Sequence, residues 1–282
     1  MLTGSGPGDA ICPKQPGRRH VRSLQDYNPL SSRRLAGYLR GIVGKDPPPP
    51  DDPDLFVGFL PMNEPIRRPE MLDMASVRTV LLRTGIPMPA RTPAFREVGR
   101  HGAWTLWQNP LAFPRAYTIE SARFVADDDT ALATVRSPSF DPRAEVVLTG
   151  ESSAPDPGDL VTAPTTTSTL REARIVRDEP EAVGIEVDVE RPAVLVLTDP
   201  IAPGWTARID GEPVTVLAAN HLGRGVTVPA GRHRVDFAYR APGLGAGLSA
   251  FAIGWGLVLA GAIGARWSSE PRRATPLSST SP

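Results

Sequence analysis

The stretch PGWTARIDGEPVTVLAANHLGRGVTVPAGRHRVDFAYR, residues 203–240, holds several short segments in which apolar and polar side chains alternate. This alternation is typical of β-strands that are buried on one face. Asp210-Gly211 lies between two of the segments, and this dipeptide favours the tight turn of a β-hairpin. The stretch therefore predicts an antiparallel sheet, and Trp205 at its start is expected to point inward and anchor the core.

The same pattern extends upstream of this stretch. Seven short segments between residues 170 and 240 alternate in this way and are separated by turn residues. Many short strands at close spacing are typical of a sandwich or a jelly roll. We therefore predict an all-β sandwich, jelly-roll-like, over residues 170–241. The Pro- and Thr-rich segment 151–169 is predicted to be a linker.

Residues 21–150 show both helical and strand periodicity, which predicts a separate α/β unit preceded by a disordered leader at 1–20. A helix is expected at about 32–43, with Ser31 or Ser32 as its N-cap. The remaining predicted elements are a helix from Pro69 that runs into a strand ending at Gly85, strands at 102–109, 116–125 and 144–150, and a helix at 127–137. The fold class is therefore α+β.

The segment LGAGLSAFAIGWGLVLAGAIGA, Leu244 to Ala265, has no charged residue. As a helix it would be about 33 Å long, enough to cross the ~30 Å hydrocarbon core of a bilayer. A buried helix of a soluble protein is the alternative. We predict a transmembrane helix at 243–265 and, because arginines dominate the segment that follows, a cytoplasmic tail at 266–282.

This topology would place the folded bulk outside the cytoplasm, yet residues 1–23 contain no apolar segment of the length that a secretory signal needs. We therefore expect transmembrane helices upstream of this sequence, in a longer reading frame. Gly247, Gly254 and Gly261 recur every seven positions in the apolar segment. Small residues on one stripe let helices approach closely, so a membrane partner helix is also expected.

Composition excludes several classes of function. The 31 basic residues balance 31 acidic ones, so no basic surface for nucleic acid is expected. The single cysteine and four separated histidines give no metal-site spacing, and no nucleophile or nucleotide-binding motif is present. Asp127, Asp128 and Asp129 are expected to cap a helix instead of binding calcium. The sequence thus predicts no catalytic, cofactor or metal residues.

A surface that binds glycan is the functional site favoured by the residue types. Aromatic faces stack on the C–H faces of sugars, while Asn and Arg bond to their hydroxyls. The candidates are Trp104, Trp107, Trp205, Asn220 and Arg224. Packing in the core is the alternative for each tryptophan, and carboxylate pairs for glycoside hydrolysis would require a separation in space that the sequence does not show.

Several blocks together resemble the C-terminal part of YfhO-like bacterial membrane proteins. They are DYNPLSSRRLAGYL, MLDMASVRTVLL, WQNPLAFPRAY, SFDPRAEVVL and, the most specific, the stretch from Pro203 to Gly247. The resemblance covers about Val21 to Arg266. It implies a multi-spanning C-type glycosyltransferase-like protein that uses a lipid-linked sugar as donor outside the cytoplasm. Ile201 and Ala202 replace an aromatic pair that commonly precedes Pro-Gly-Trp in the family.

By this resemblance, we expect the chain to be the extracytoplasmic region and last helix of a YfhO-like protein, single-pass in the cell membrane as it stands. Its expected partners are membrane lipid, a lipid-linked sugar and envelope glycan, and its expected role is to position an acceptor without catalysing transfer alone. Two alternatives stay open. One is a membrane-tethered β-sandwich that binds glycan or a partner protein without any transferase role, and the other is a soluble hydrolase.

Overall fold

The computed structural model describes residues 24, 32–47, 49, 64–150 and 170–268, with side chains up to residue 260. The predicted leader at 1–20, linker at 151–169 and most of the tail at 266–282 lie outside these residues. The chain divides into two compact units, one up to Tyr239 and one from Arg240 onward. Within the described part, the first unit is built mainly from β-sheet and the second is a helix.

The centre of the first unit is a seven-stranded sheet with the order β5-β6-β13-β14-β10-β4-β7. Its strand β10, Ala193–Leu197, has all five residues buried. Val194 and Val196 point to one face of the sheet, while Leu195 and Leu197 point to the other. A strand covered on both faces needs a continuous apolar run, which the sequence AVLVL provides. The other strands of this sheet are β4 (Ala116–Ile119), β5 (Ala122–Phe124), β6 (Val146–Thr149), β7 (Arg171–Glu172), β13 (Leu217–Ala219) and β14 (Gly223–Val228).

One face of the central sheet packs against a five-stranded antiparallel sheet with the order β12-β11-β15-β9-β8. Ile185, Val235 and Phe237 of this second sheet share a hydrophobic core with Leu195 and Val226 of the central sheet. The prediction of a β-sandwich is thus confirmed. The five strands are β8 (Arg174–Glu179), β9 (Ala182–Val189), β11 (Trp205–Ile209), β12 (Glu212–Val214) and β15 (Gly231–Tyr239).

The opposite face of the central sheet is covered by helices and a small sheet. Tyr117 of β4 and Leu148 of β6 share a core with Leu39 of α1 and Leu132 of α3. The helices are α1 (Arg33–Ile42), α2 (Pro69–Met74) and α3 (Asp128–Arg136), and the small sheet has the order β1-β3-β2, with β1 at Thr79–Arg83, β2 at Arg96–His101 and β3 at Trp104–Gln108. The α+β class is therefore confirmed.

The predicted N-caps of the two longer helices in this layer are present. The Ser32 side chain accepts a hydrogen bond from the Leu35 amide at 3.2 Å, and the Asp127 carboxylate accepts one from the Thr130 amide at 2.7 Å. These bonds satisfy backbone donors that a helix leaves unpaired in its first turn. The aspartate run at 127–129 thus begins a helix, as predicted.

The predicted boundary between an α/β unit and a β-sandwich does not separate two cores. β4, upstream of the boundary, pairs with β10 and β7 downstream of it, and β6 pairs with β13. Three of the seven strands of the central sheet, β4, β5 and β6, therefore come from upstream of the boundary, and β4 and β6 are direct neighbours of β10 and β13. The predicted strand 116–125 is divided into β4 and β5. EPVTVL, residues 212–217 and one of the seven short segments predicted as strands, is divided between β12 and β13, which belong to different sheets.

The second unit contains α4, Leu244–Ser268. Every side chain described in this helix, from Leu244 to residue 260, is exposed, including Leu248, Phe251 and Leu257. Over the part of the chain that the structure describes, no helix meets both the length and the hydropathy required for a membrane span. The side chains of α4 are described only up to residue 260, which lies inside the predicted membrane segment 243–265.

A histidine–aspartate pair connects two turns of the five-stranded sheet. Asp210 has φ +52° and Gly211 φ +93°, as a tight β11–β12 hairpin requires. The His233 Nδ1 atom lies 2.6 Å from an Asp210 carboxylate oxygen, and the other oxygen accepts the Arg234 amide at 2.8 Å. The hydrogen bond to Asp210 raises the pKa of His233, whereas the bonds from Arg234 and His233 lower the pKa of Asp210.

This pair predicts a pH-dependent contribution to stability. Because folding raises the pKa of His233 above its usual 6.5, the contribution is fully present below pH 6.5 and is lost as the pH rises through the folded value. We expect the melting-temperature difference between the wild type and His233→Gln to shrink between pH 6 and pH 9. Asp210→Asn, which keeps a residue suited to positive φ, should remove the same dependence. A difference that stays constant over this range would contradict the assignment.

Candidate functional site

Arg224 is a buried guanidinium at the end of the sandwich where β10 ends and β14 begins. Its side chain is only 4% exposed. Its Nε and Nη1 atoms are buried and have no hydrogen-bond partner in the described part of the chain. Its Nη2 atom lies 3.6 Å from an Asp199 carboxylate oxygen. Burying a cation with unpaired donors costs free energy, so this residue needs a physical reason to be here.

Local backbone geometry brings Arg224 to this position. Gly223 begins β14, and a Cβ there would lie 2.9 Å from the Leu197 carbonyl oxygen, so the two strands approach too closely for any other residue without a shift. Arg224 pairs with Leu197 across the β10–β14 ladder. It lies on the same face of β14 as Val226, whose side chain is in the sandwich core. The pleat of the strand therefore directs the guanidinium between the two sheets.

Trp205 covers this guanidinium. The Arg224 Cζ atom lies 3.5 Å from the centre of the Trp205 ring, which is a close cation–π contact. The Trp205 ring is partly buried and also contacts the Tyr239 ring, at 5.3 Å between centroids. Trp205 begins β11 directly after Gly204, which has φ +101°. The predicted inward anchor is thus found, but it packs on a charged group at the end of the core.

A second arginine, Arg115, and Asp199 complete the cluster. Arg115 donates two hydrogen bonds to Asp199, at 2.8 and 2.6 Å, and one to Asp178 at 3.0 Å. Burial opposes the charged form of Arg115, but the bonds to Asp199 and Asp178 outweigh it, so the pKa of Arg115 is raised. Asp199 is therefore held mainly by Arg115 and compensates Arg224 only in part.

The pKa of Arg224 shows this incomplete compensation. Burial, together with repulsion from Arg115, lowers the pKa of Arg224 to about 10, although Asp199 acts in the opposite direction. The group stays charged at neutral pH. We call the five residues Arg115, Asp199, Trp205, Arg224 and Tyr239 the arginine–tryptophan cluster. It combines a partly buried aromatic ring, a buried guanidinium with unpaired donors and a carboxylate that accepts two hydrogen bonds from Arg115.

Asn220, predicted to contact glycan, makes hydrogen bonds that stabilise the fold. Its side-chain oxygen accepts the Val147 amide at 3.0 Å, and its amide nitrogen donates to the Tyr117 hydroxyl at 3.2 Å. The residue is buried and adopts φ +47°. A positive φ suits Asn better than most residues because its short side chain can bond locally. Asn220 thus closes the β13–β14 turn against β6 and does not join the arginine–tryptophan cluster.

The two upstream tryptophans also lie elsewhere. Trp104 is buried in the core on the helix side of the central sheet, and Trp107 packs against the same core. Both belong to β3 of the small sheet. The Trp107 Nε1 atom is buried without a partner among the described residues. Of the five predicted candidates, the structure therefore brings together only Trp205 and Arg224. Contact with glycan stays a prediction for all five.

Buried polar groups that the sequence did not indicate hold the helix side together. His221 lies between α1 and α3, with its ring nitrogens 3.0 Å from the Asp128 carbonyl oxygen and 3.1 Å from that of Arg34. Burial lowers the pKa of His221 to about 4, with Arg34 adding to the effect. Asp73 accepts two hydrogen bonds from Arg91 and one from Asn109. In the described residues no group of acidic, His or Cys side chains is placed to hold a metal ion.

Comparison with known proteins shows that part of the chain is similar to a known family. The family model described as bacterial membrane protein YfhO matches residues 161–250. The match includes β7 to β15 and with them Asp199, Trp205, Arg224 and Tyr239, whereas Arg115 lies upstream of it. The resemblance inferred from the sequence blocks is confirmed over this region.

Comparisons with individual proteins are more limited. The structure of arabinofuranosyltransferase AftD from Mycobacteria, solved by single-particle cryo-EM, aligns with a TM-score of 0.24 and 21% sequence identity. The alignment covers 28% of this chain and 6% of AftD, so the chain spans a small part of that protein's length. No curated protein matches the chain.

The burial of Arg224 predicts that replacing Arg224 lowers the stability of the protein less than replacing Arg115 does. Arg224→Met should leave the free energy of unfolding within about 1 kcal/mol of the wild type or raise it, because it removes a buried charge with unpaired donors. Arg115→Met should lower it by about 3 kcal/mol, because Asp199 loses its main partner. Denaturant unfolding of the full chain in detergent measures both. A large loss in Arg224→Met with none in Arg115→Met would overturn this account of the cluster.

Proposed function

We propose that this chain is an extracytoplasmic region and a membrane helix of a YfhO-type protein that helps transfer sugar from a lipid-linked donor to envelope glycan. In this role the β-sandwich positions the acceptor and does not catalyse transfer alone. The observation that carries the proposal is the arginine–tryptophan cluster, which lies mostly inside the region that matches the family. It places a partly exposed aromatic ring over unpaired guanidinium donors.

The chemistry of the cluster fits a sugar. A pyranose ring has C–H faces that stack on an aromatic side chain and hydroxyls that accept hydrogen bonds from a guanidinium. Arg224 has two nitrogen atoms without partners in the described structure, and Trp205 is not fully buried. An apolar residue at position 224 would stabilise the protein at least as well, so the presence of an arginine there favours a role in binding.

The same cluster supports an accessory role over a catalytic one. General acid–base catalysis needs a carboxyl group that is free to exchange a proton with the substrate. Both oxygens of Asp199 accept hydrogen bonds from Arg115. Arg115 thus engages both Asp199 oxygens, which favours a cluster that binds and orients a ligand without acting on it as a base.

Membrane attachment is proposed for α4. Its described side chains are apolar around the whole helix and exposed in the structure. A helix that is apolar on all sides is typical of membrane spans and of helices buried in large cores. Gly247 and Gly254 have nothing within 4 Å of the position of a Cβ, so both leave room for a neighbouring helix. We propose the span at 243–265, with the β-rich unit outside and the tail in the cytoplasm.

Replacing Trp205 tests the proposed function. In the source bacterium, Trp205→Ala in the chromosomal gene should lower the content of the affected envelope sugar several-fold and raise the pool of its lipid-linked donor. The physical reason is that the acceptor loses its stacking surface. Linkage analysis of the envelope glycan and mass spectrometry of extracted lipids provide the two measurements.

The control is Arg208→Ala, on the same strand but exposed and outside the cluster, which should leave both measurements at the wild-type level. Melting temperatures of the purified variants identify any loss caused by unfolding. A stable Trp205→Ala variant with wild-type glycan and lipid pools would refute the transferase-related role. If that variant nevertheless lost glycan affinity, the binding module without transferase function would be favoured.

Membrane insertion of α4 gives a separate prediction. The wild-type chain should stay in the membrane pellet after alkaline carbonate extraction, whereas Ile253→Lys/Leu257→Lys should move largely to the supernatant or be degraded. Each lysine near the centre of a span costs about 2.5–3.5 kcal/mol of insertion free energy. The matched control, Ile253→Leu/Leu257→Met, should stay in the pellet. Release of the wild-type chain by carbonate would exclude a spanning α4.

A further inference from the structure

A polar cleft of about 560 Å³ lies at another part of the sandwich, separate from the arginine–tryptophan cluster. Thr118 of β4 and Glu172 of β7 line it from the central sheet, and Glu186 of β9 and Arg232 of β15 line it from the five-stranded sheet. The chain crosses between the two sheets here through Ala173, whose amide donates to the Ala116 carbonyl oxygen at 2.9 Å. The volume lies within the roughly 300–1,000 Å³ that small-ligand sites occupy.

The lining consists mainly of charged side chains. Four arginines and one histidine line the cleft, against three carboxylates. The Arg174 guanidinium lies 3.5 Å from Glu186 and is 79% exposed, while Arg232 lies 2.8 Å from Asp188 and is 87% exposed. Each guanidinium has five N–H donors, so both retain donors that a ligand can reach.

The pairing of these charges restricts the ligand. Carboxylates outside the lining pair with two of its other arginines: Glu190 with Arg171, and Asp236 with Arg234. The surface around the cleft is therefore close to neutral and does not suit a polyanion such as nucleic acid. Its lining residues include no phenylalanine, tyrosine or tryptophan and only two aliphatic side chains, so it does not suit an acyl chain either.

A mixture of reachable guanidinium donors and carboxylate acceptors matches a chain of hydroxyl groups. Carboxylates accept hydrogen bonds from hydroxyls, and guanidinium groups donate to them or form paired bonds to a carboxylate or a phosphate. The two exposed arginines, Arg174 and Arg232, supply positive charge that is only loosely compensated, because each bridges its carboxylate at the surface. Acidic groups on a short saccharide segment would use this charge.

We propose that this cleft is a second saccharide site and that it selects an acidic segment through Arg174 and Arg232. The proposal rests on the proposed function, since it assigns a charge to the glycan that the sandwich positions. The cleft and the cluster lie toward opposite ends of β15, because Arg232 and His233 line the cleft and Tyr239 belongs to the cluster. At about 3.3 Å per residue, six to seven residues separate them by roughly 20 Å, so both contacts require an extended polymer.

Titration of the full chain in detergent micelles with two trisaccharides tests the proposal. Trigalacturonate carries a carboxylate on every ring, and maltotriose is a neutral probe of the same length. By isothermal titration calorimetry at 50 mM salt we expect trigalacturonate to bind at least tenfold more tightly than maltotriose. Arg174→Ala/Arg232→Ala should weaken trigalacturonate binding at least tenfold and leave the melting temperature unchanged, because both side chains are exposed.

Arg100→Ala provides the matched control, since Arg100 is an exposed arginine in an ion pair on the small sheet. It should bind trigalacturonate like the wild type. Equal affinity for both trisaccharides, no binding of trigalacturonate at millimolar concentration, or an unaffected double variant would each overturn the cleft proposal. Trp205→Ala should keep trigalacturonate binding in this assay. The titration therefore tests the cleft proposal, whereas the envelope glycan of the Trp205→Ala strain tests the proposed function, so the failure of one can be told from the failure of the other.

Discussion

Burial of β10 on both faces is the constraint on which the rest of this structure depends. All five residues of the strand are inaccessible, and alternate side chains enter two different cores. Both faces must be covered, which requires the five-stranded sheet on one side and the helices on the other. Truncating a single large buried side chain typically costs about 2–5 kcal/mol, a large part of the 5–15 kcal/mol that stabilises a whole domain.

The same constraint places the arginine–tryptophan cluster. At the end of β10, Arg224 occupies the space between the two sheets and lies beneath Trp205. Asp199, two residues after β10, lies close enough to compensate the charge in part, but Arg115 from the start of β4 already occupies it. A buried guanidinium with two unpaired donors is thus kept beneath Trp205 at the end of the sandwich core.

Local signals in the sequence predicted most of the individual elements. Ser32 and Asp127 cap the helices that their side chains indicated, and Asp210-Gly211 forms the expected hairpin turn. The alternation predicted β11 and β15 as strands, and Trp205, expected to point inward at the start of β11, packs against the sandwich core. In contrast, β2 was not predicted, because REVGRH is polar and its residues are almost all exposed. The predicted boundary between the α/β unit and the sandwich does not separate two hydrophobic cores. The reason is that pairing between strands far apart in the chain cannot be recognised from local periodicity.

The sequence by itself determined most of the elements, the β-rich character of residues 170–240, the resemblance to the YfhO family model and the apolar segment of α4, because each can be recognised from residues that are near one another in the chain. Only the tertiary structure decided which candidates form a site. Asn220 and Arg224 are four residues apart, yet one bonds to β6 and the other lies under Trp205. The positive φ at Asn220 and His221 turns the chain between them, and the pleat then sets the face on which each side chain lies. Strand pairing over long separations likewise created the charged cleft, whose residues come from segments up to 116 positions apart.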